Sequence, residues 1–182
     1  IDTLSLHDAL PISTKALAPA APSSPATSAA TPPSTSMSIG RPAVIETRLK
    51  RAGLSLVPGR DFEVINPEDD PRYRDYVALF HSLVGRNGVT PETARTIVRT
   101  NTTTIAALAV KRGDADGLIC GLQGRYIKHV RDIRSVIGLQ DGAKDVAGLS
   151  LLIMPRGAFF LTDTYVNMEP SPEESVAIAL QA

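Results

Sequence analysis

One cysteine, Cys120, is all that the 182-residue sequence offers to sulfur chemistry. An internal disulfide and a metal site built from several thiolates are therefore excluded, and a reducing, cytoplasmic setting is the simplest expectation. Charge of one sign is missing too, since 19 Lys and Arg balance 19 Asp and Glu to a formal net charge of +0. No global field draws such a chain to nucleic acid or to an anionic membrane. No apolar run approaches the roughly 20 residues that span a bilayer, and the longest candidate, Leu149 to Met154, is strand-sized. A secretory leader also fails, because His7 and Asp8 interrupt Leu4 to Ile12 and no basic residue precedes them. His81 and His129 have no second histidine or carboxylate at metal spacing, so no metal is expected. No Ser/His/Asp or Cys/His triad can be assembled, so no catalytic residue is assigned.

What is present falls into two unlike parts. From Ser13 to Ser38 the chain is almost wholly Ala, Pro, Ser and Thr, with Lys15 as its only charge. Such a stretch has too little large apolar surface to offset the entropy of ordering it, so residues 13–39 are expected to be disordered. Residues 1–12 read differently again. Thr3 to Ile12 reads as one translated frame of a common sequencing adapter, and residues 1–12 are set aside as an artefact. The fold is expected to begin near Gly40. Beyond it, a hydrophobic fraction of 43% and a charged fraction of 21% are those of a soluble globular protein with room for one domain.

Helices and short apolar strands then alternate. Pro42 to Ala52 carries Val44, Ile45 and Leu49 at helical spacing, with Gly53 as a stop. Phe62 to Ile65 is a short strand closed by Asn66-Pro67. Asp70-Pro71 predicts a capped helix whose inward stripe is Tyr73, Val77, Phe80 and Val84. Thr90-Pro91-Glu92 repeats the start signal, with Ala94, Ile97 and Val98 inward, and Thr102 or Thr103 is expected to cap the next helix. Gly117 to Cys120 is expected to be an interior strand. Tyr126 to Ile137 reads as a helix, Leu149–Met154 and Phe159–Thr162 as a hairpin turning at Pro155-Arg156-Gly157, and Ser171-Pro172-Glu173-Glu174 as a last helix start. That last helix reaches Ala182 without a stop signal, so the piece is expected to be cut. The alternation predicts an α/β fold with a mostly parallel sheet covered on both faces.

The candidate chemistry lies between Gly117 and Arg134. A strand, the turn Gly121 to Gly124, and a helix bearing Arg125, Lys128, Arg131 and Arg134 on one flank make an anion site. Ile127, Val130 and Ile137 are expected on the opposite, buried flank. Guanidinium forks suit phosphate; the same row also reads as a solvated basic face paired with Asp132. Asp163 and Asn167, where the second hairpin strand ends, read either as cleft residues or as turn formers. Cys120 is read as an inert small hydrophobe.

Several stretches stand in a familiar order. They are Gly40 to Glu46, Asn66 to Tyr73, Val98-Arg99-Thr100-Asn101, Ala115 to Gly121, and Asp163-Thr164-Tyr165-Val166-Asn167. On these the region from Gly40 to Ala182 resembles the phosphate acetyl/butyryltransferase family, most of all the acyltransferase-like C-terminal domain of bacterial NADP-dependent malic enzymes. The resemblance implies a three-layer α/β/α mixed sheet of the isocitrate/isopropylmalate dehydrogenase-like type, here incomplete. It implies acetyl-CoA or an acyl phosphate as ligand, with Arg131, Arg125, Lys128, Gly121, Asp163 and Asn167 as binding residues. It also implies a homo-oligomeric parent protein whose NADP and divalent metal belong to a separate oxidoreductase domain. Cys120-Gly121 stands where working transferases have Ser-Gly, and Gly124-Arg125-Tyr126 replaces their hydroxyl-bearing loop. The resemblance thus points to a domain that senses acetyl-CoA; a catalytically active phosphate acyltransferase is the alternative. The piece alone is expected to be inactive, to expose apolar surface and sheet edges, and to be poorly soluble.

Overall fold

The computed structural model describes residues 12–15, 35–121, 123–164 and 166–181. The described residues up to Ile137 form one compact unit and those from Gly138 onward a second. In the first unit β1 (Ile12–Lys15), β2 (Thr35–Ile39), β3 (Glu63–Ile65) and β4 (Gly117–Ile119) make a sheet in the order β3-β2-β1-β4. β2 runs parallel to β3, and β1 is antiparallel to both β2 and β4, so the sheet is mixed rather than mostly parallel.

Two of these strands correct the expected start of the fold. Met37 and Ile39 are buried and Ser38 nearly so, with Met37 facing Glu63 and Ile39 facing Ile65 across the β2–β3 ladder. Alternate small residues do not prevent a strand from forming when Met37 and Ile39 can enter a core, and five residues suffice for that. Ile12–Lys15, which the sequence divides between the adapter-like stretch and the segment expected to be disordered, pairs on the other edge of β2. The remainder of residues 1–39, with the adapter-like stretch and most of the Ala/Pro/Ser/Thr run, lies outside the described residues. β4 is a further correction. It is an edge strand, and Ile119 is 58% exposed.

The helices are α1 (Pro42–Arg51), α2 (Tyr73–Val84), α3 (Pro91–Thr100), α4 (Thr102–Arg112) and α5 (Tyr126–Ile137), with a single 3-10 turn after α2. α4 packs on the sheet, and α2, α3 and α5 pack around α4. From Thr103 through Ala109 every α4 residue is buried. Its alanines let neighbouring helices approach closely, while Ile105 and Leu108 fill the space between them. α3 starts as expected, with the Thr90 side chain accepting from the Thr93 amide at 3.2 Å and Pro91 at the first position.

α2 differs from expectation at both its start and its stripe. Asp70 does not cap it. Its carboxylate accepts from the Arg72 amide and guanidinium, and Arg72 reaches on to Glu63 at the foot of β3. The deepest stripe is Tyr76, Phe80 and Val84, with Tyr73 and Val77 only half-buried. Tyr76 is not in the expected stripe, and a buried phenol needs a partner. It has one in Asp114, whose Oδ2 accepts from the Tyr76 hydroxyl at 2.9 Å, and burial together with this bond pushes the phenol well above its ordinary range.

The second unit holds β5 (Leu149–Met154), β6 (Gly157–Thr162) and α6 (Pro172–Gln181). β5 and β6 form the expected hairpin, with Met154 opposite Gly157 across a Pro155-Arg156 turn. Leu151, Ile153, Phe160 and Leu161 are all exposed, Ile153 by 77%. α6 opens with a reciprocal cap in which Glu174 Oε2 accepts from the Ser171 amide and Ser171 Oγ from the Glu174 amide. No helix of the described residues is long and apolar enough to cross a membrane.

Ile39 and Ile153 separate the core from this exposed hairpin. Ile39→Ala is expected to cost about 2–5 kcal/mol, the range for a buried large-to-small change, and Ile153→Ala about 0.5 kcal/mol or less. Urea unfolding followed by far-ultraviolet circular dichroism measures both. Equal costs would remove β2 from the core.

Candidate functional site

A cavity of about 510 Å³ opens where α4, α5 and the turn after β4 meet. Thr100, Asn101, Thr102 and Thr103 line one side; Cys120, Gly121, Gln123 and Gly124 line another; Lys128 and His129 complete it. Its volume lies in the range of small-molecule sites.

The cap of α4 builds this corner. Asn101, rather than Thr102 or Thr103, is the capping residue, and its Oδ1 accepts from the Thr103 and Thr104 amides at 3.1 and 3.2 Å. The other end of the same side chain donates from Nδ2 to Asp132 Oδ2 at 2.7 Å. Lys128 Nζ donates to that same oxygen, also at 2.7 Å. One carboxylate on α5 thus fixes the cap of α4 and positions the ammonium group at the mouth. Asp132 is mostly covered, at 20% side-chain exposure, so this pairing is screened less than a pair at the surface.

His129 closes the opposite side. Its Nε2 contacts the Gln123 carbonyl oxygen at 2.6 Å, and a carbonyl can only accept, so Nε2 carries the proton. In the neutral ring Nδ1 then accepts from the buried Thr103 hydroxyl at 2.9 Å. Gly124 makes this approach possible. Its φ of 96° suits glycine, and a Cβ there would stand 3.2 Å from His129 Nε2.

Cys120 is half-buried. Burial pushes its thiol up, the Asp132 carboxylate adds to the shift, and a hydrogen bond with Thr103 only partly opposes it. A protonated thiol is a poor attacking group. The corner offers donors in number but no activated nucleophile, which suits holding an anion.

Of the residues expected to bind a ligand, Gly121 and Lys128 come together in this cavity. Arg125, just before α5, and Arg131, on it, are both exposed. Ile127, expected on the buried flank, is 54% exposed, and Val136 is the α5 residue that is fully buried. Asn101, Thr103, His129 and Asp132 were not assigned to the site. No spacing rule links Asn101 to Asp132, 31 positions away; the only signal is that Asn101 precedes three threonines at a helix start.

Asp163 and Asn167 belong to the second unit, where they hold a loop. Asp163 Oδ1 accepts from the amides of Gly148 at 2.8 Å and Val166 at 3.3 Å. Its Oδ2 accepts from the Asn167 amide at 2.8 Å and from Asn167 Nδ2 at 2.6 Å. Asn167 Nδ2 also reaches the Val146 carbonyl. Burial would push the Asp163 carboxyl up, but the hydrogen bonds from Gly148, Asn167 and Val166 outweigh it and hold the group down to about 2. Among the described residues no three His, Cys, Asp or Glu side chains come together to hold a metal.

The sequence profile of phosphate acetyl/butaryl transferases matches residues 25–182. An NAD-dependent malic enzyme of Rhizobium meliloti is 62% identical over 144 residues, which is 79% of this chain and 19% of that protein. An NADP-dependent malic enzyme of Escherichia coli is 42% identical over 144 residues, again 79% and 19%. The chain therefore spans about a fifth of the length of these relatives. Among solved structures, the EutD phosphotransacetylase from Staphylococcus aureus shares the fold with a TM-score of 0.67 and 21% identity, over 78% of this chain and 41% of that one.

Two measurements check the local chemistry. The folded-state pKa of Asp163 lies below its unfolded value of about 3.9, so its clamp contributes fully above about pH 4 and is lost as pH falls through about 2. The Gly148 and Asn167 amide resonances should shift across that window, and Asp163→Asn should abolish the shift. Asp132→Ala strips the acceptor from Asn101 and Lys128. It is expected to cost about 1–3 kcal/mol in urea unfolding; a cost near zero would show that this carboxylate does not hold the α4 cap.

Proposed function

Because the chain belongs to the phosphate acetyl/butaryl transferase family, we propose that it is part of an acetyl-CoA-sensing domain of a malic enzyme, one that binds its ligand without turning it over. The observation that carries this reading is the corner at Cys120. Threonine hydroxyls, the Gly121 turn and the Lys128 ammonium meet there around a thiol that stays protonated. In this reading Lys128 and the turn hold a phosphate group of the ligand, and Arg125 and Arg131 meet its outer anionic groups. Asp163 and Asn167 shape a loop of the second unit, where the Asp163 oxygens are already engaged by four donors.

The likeness to solved phosphotransacetylases supports a parent domain of the three-layer, isocitrate/isopropylmalate dehydrogenase-like type, of which this chain is a part. The balance of charge and the single thiol favour a cytoplasmic setting, and we place the parent among homo-oligomers. In this reading malate oxidation, with its coenzyme and divalent metal, is the work of the rest of the parent protein.

The test uses the parent protein. Calorimetry should detect acetyl-CoA binding, and Lys128→Ala should weaken it about tenfold, the loss of one charge-assisted hydrogen bond. Acetyl phosphate formation from acetyl-CoA and phosphate should be absent. Robust turnover would replace the sensing role with that of a working phosphate acyltransferase. Absence of binding would reduce the domain to an interaction module.

A further inference from the structure

A second groove, of about 580 Å³, lies between α2 and α3. α2 contributes Arg74, Val77, Ala78 and His81, spaced three and four apart along one side of the helix. α3 contributes Pro91, Arg95 and Arg99, each one turn beyond the last. Ile97 and Asn101, which line the Cys120 cavity, point to a different side of α3, so the two cavities are separate.

The groove arginines differ from the three arginines of the unit that carboxylates hold closely. Arg72 is held by Asp70 and Glu63, Arg112 by Asp75 and Asp114, and Arg60 by Asp61. In the groove, Arg95 has only the largely exposed Glu92, at 4.0 Å. Arg74 and Arg99 have no carboxylate partner among the described residues. Arg99 is nevertheless oriented. Its guanidinium lies 5.1 Å over the Tyr73 ring, and that ring is fixed by the Tyr73 hydroxyl donating to the Arg95 carbonyl at 2.9 Å. Half-buried Tyr73 and Val77, with Pro91 and Ala78, supply an apolar surface beneath the three cations.

We propose that the α2–α3 groove is a binding site for an organic polyanion of the nucleoside-diphosphate type, with its flat body on Tyr73 and Val77 and its phosphates held by Arg74, Arg95 and Arg99. The inference does not rest on the function assigned to the Cys120 cavity. Three guanidinium groups, whose one carboxylate contact among the described residues is the 4.0 Å approach of exposed Glu92 to Arg95, account for the charge of the ligand, since their planar forks suit phosphate oxygens. The apolar surface accounts for the body, because charge alone needs no such surface, and the volume falls in the small-molecule range.

Calorimetry on the full chain with ADP, pyrophosphate and adenosine tests this. ADP should bind at least about tenfold more tightly than either half alone, because only it engages both parts of the groove. Arg95→Gln with Arg99→Gln should weaken ADP at least about tenfold, and Arg99→Lys, which keeps the charge but not the fork, should weaken it about threefold or more. Arg74→Gln removes a side chain with no carboxylate partner among the described residues, so its loss of affinity can be read without loss of folding; Lys128→Ala should leave ADP binding unchanged. The proposal is overturned if ADP does not bind, if pyrophosphate binds as tightly as ADP, if the arginine variants bind normally, or if Lys128→Ala is the change that weakens binding.

Discussion

The first unit depends on burying α4. A helix with every residue from Thr103 to Ala109 out of water must satisfy its own first-turn amides, because solvent cannot reach them. Asn101 does so from outside the helix, and its remaining amide group is in turn bound by Asp132 on α5. This chain of hydrogen bonds sets the spacing of α4 and α5 and thereby the width of the cavity between them. Lys128 is placed by the same carboxylate, so the charge at the cavity mouth follows from the requirement to cap the central helix.

The chemistry of the Cys120 corner follows from that geometry. A half-buried thiol beside the mostly covered Asp132 carboxylate is pushed up. The imidazole next to it is engaged at both nitrogens, by Thr103 and by the Gln123 carbonyl. The Thr100 and Thr103 hydroxyls already donate to Thr96 and His129, so the donors at hand are those of the turn and the ammonium. A site of this kind can stabilise negative charge that is already present in a ligand.

The second unit is organised by hydrogen bonding more than by a core. None of the described α6 residues is buried, and the hairpin shows large apolar side chains to solvent. Its loop keeps its shape through the four donors on Asp163, and α6 through the reciprocal Ser171–Glu174 cap. Apolar strands in this state are an aggregation hazard.

Local chemistry was legible in the sequence wherever one short segment determines its own conformation. Thr90-Pro91-Glu92 began α3, Tyr126–Ile137 formed α5, and the apolar pair around Pro155-Arg156 formed a hairpin, because caps, proline and turn residues act over three or four positions. The likeness to phosphate acyltransferases was legible on the same ground, as ordered local motifs. What needed the tertiary structure was every decision made by a distant partner. Met37 and Ile39 became core in a segment of low complexity because β3 and α4 offered them a surface to cover. Tyr76 turned inward because Asp114, 38 positions away, accepts a hydrogen bond from its hydroxyl. Lys128 and Gly121 met, and Arg125 and Arg131 stayed outside, because α5 is docked by Val136 and Asp132. Periodicity along one helix gives the faces but not which of them a neighbour will take, and that choice is settled only by the burial of α4.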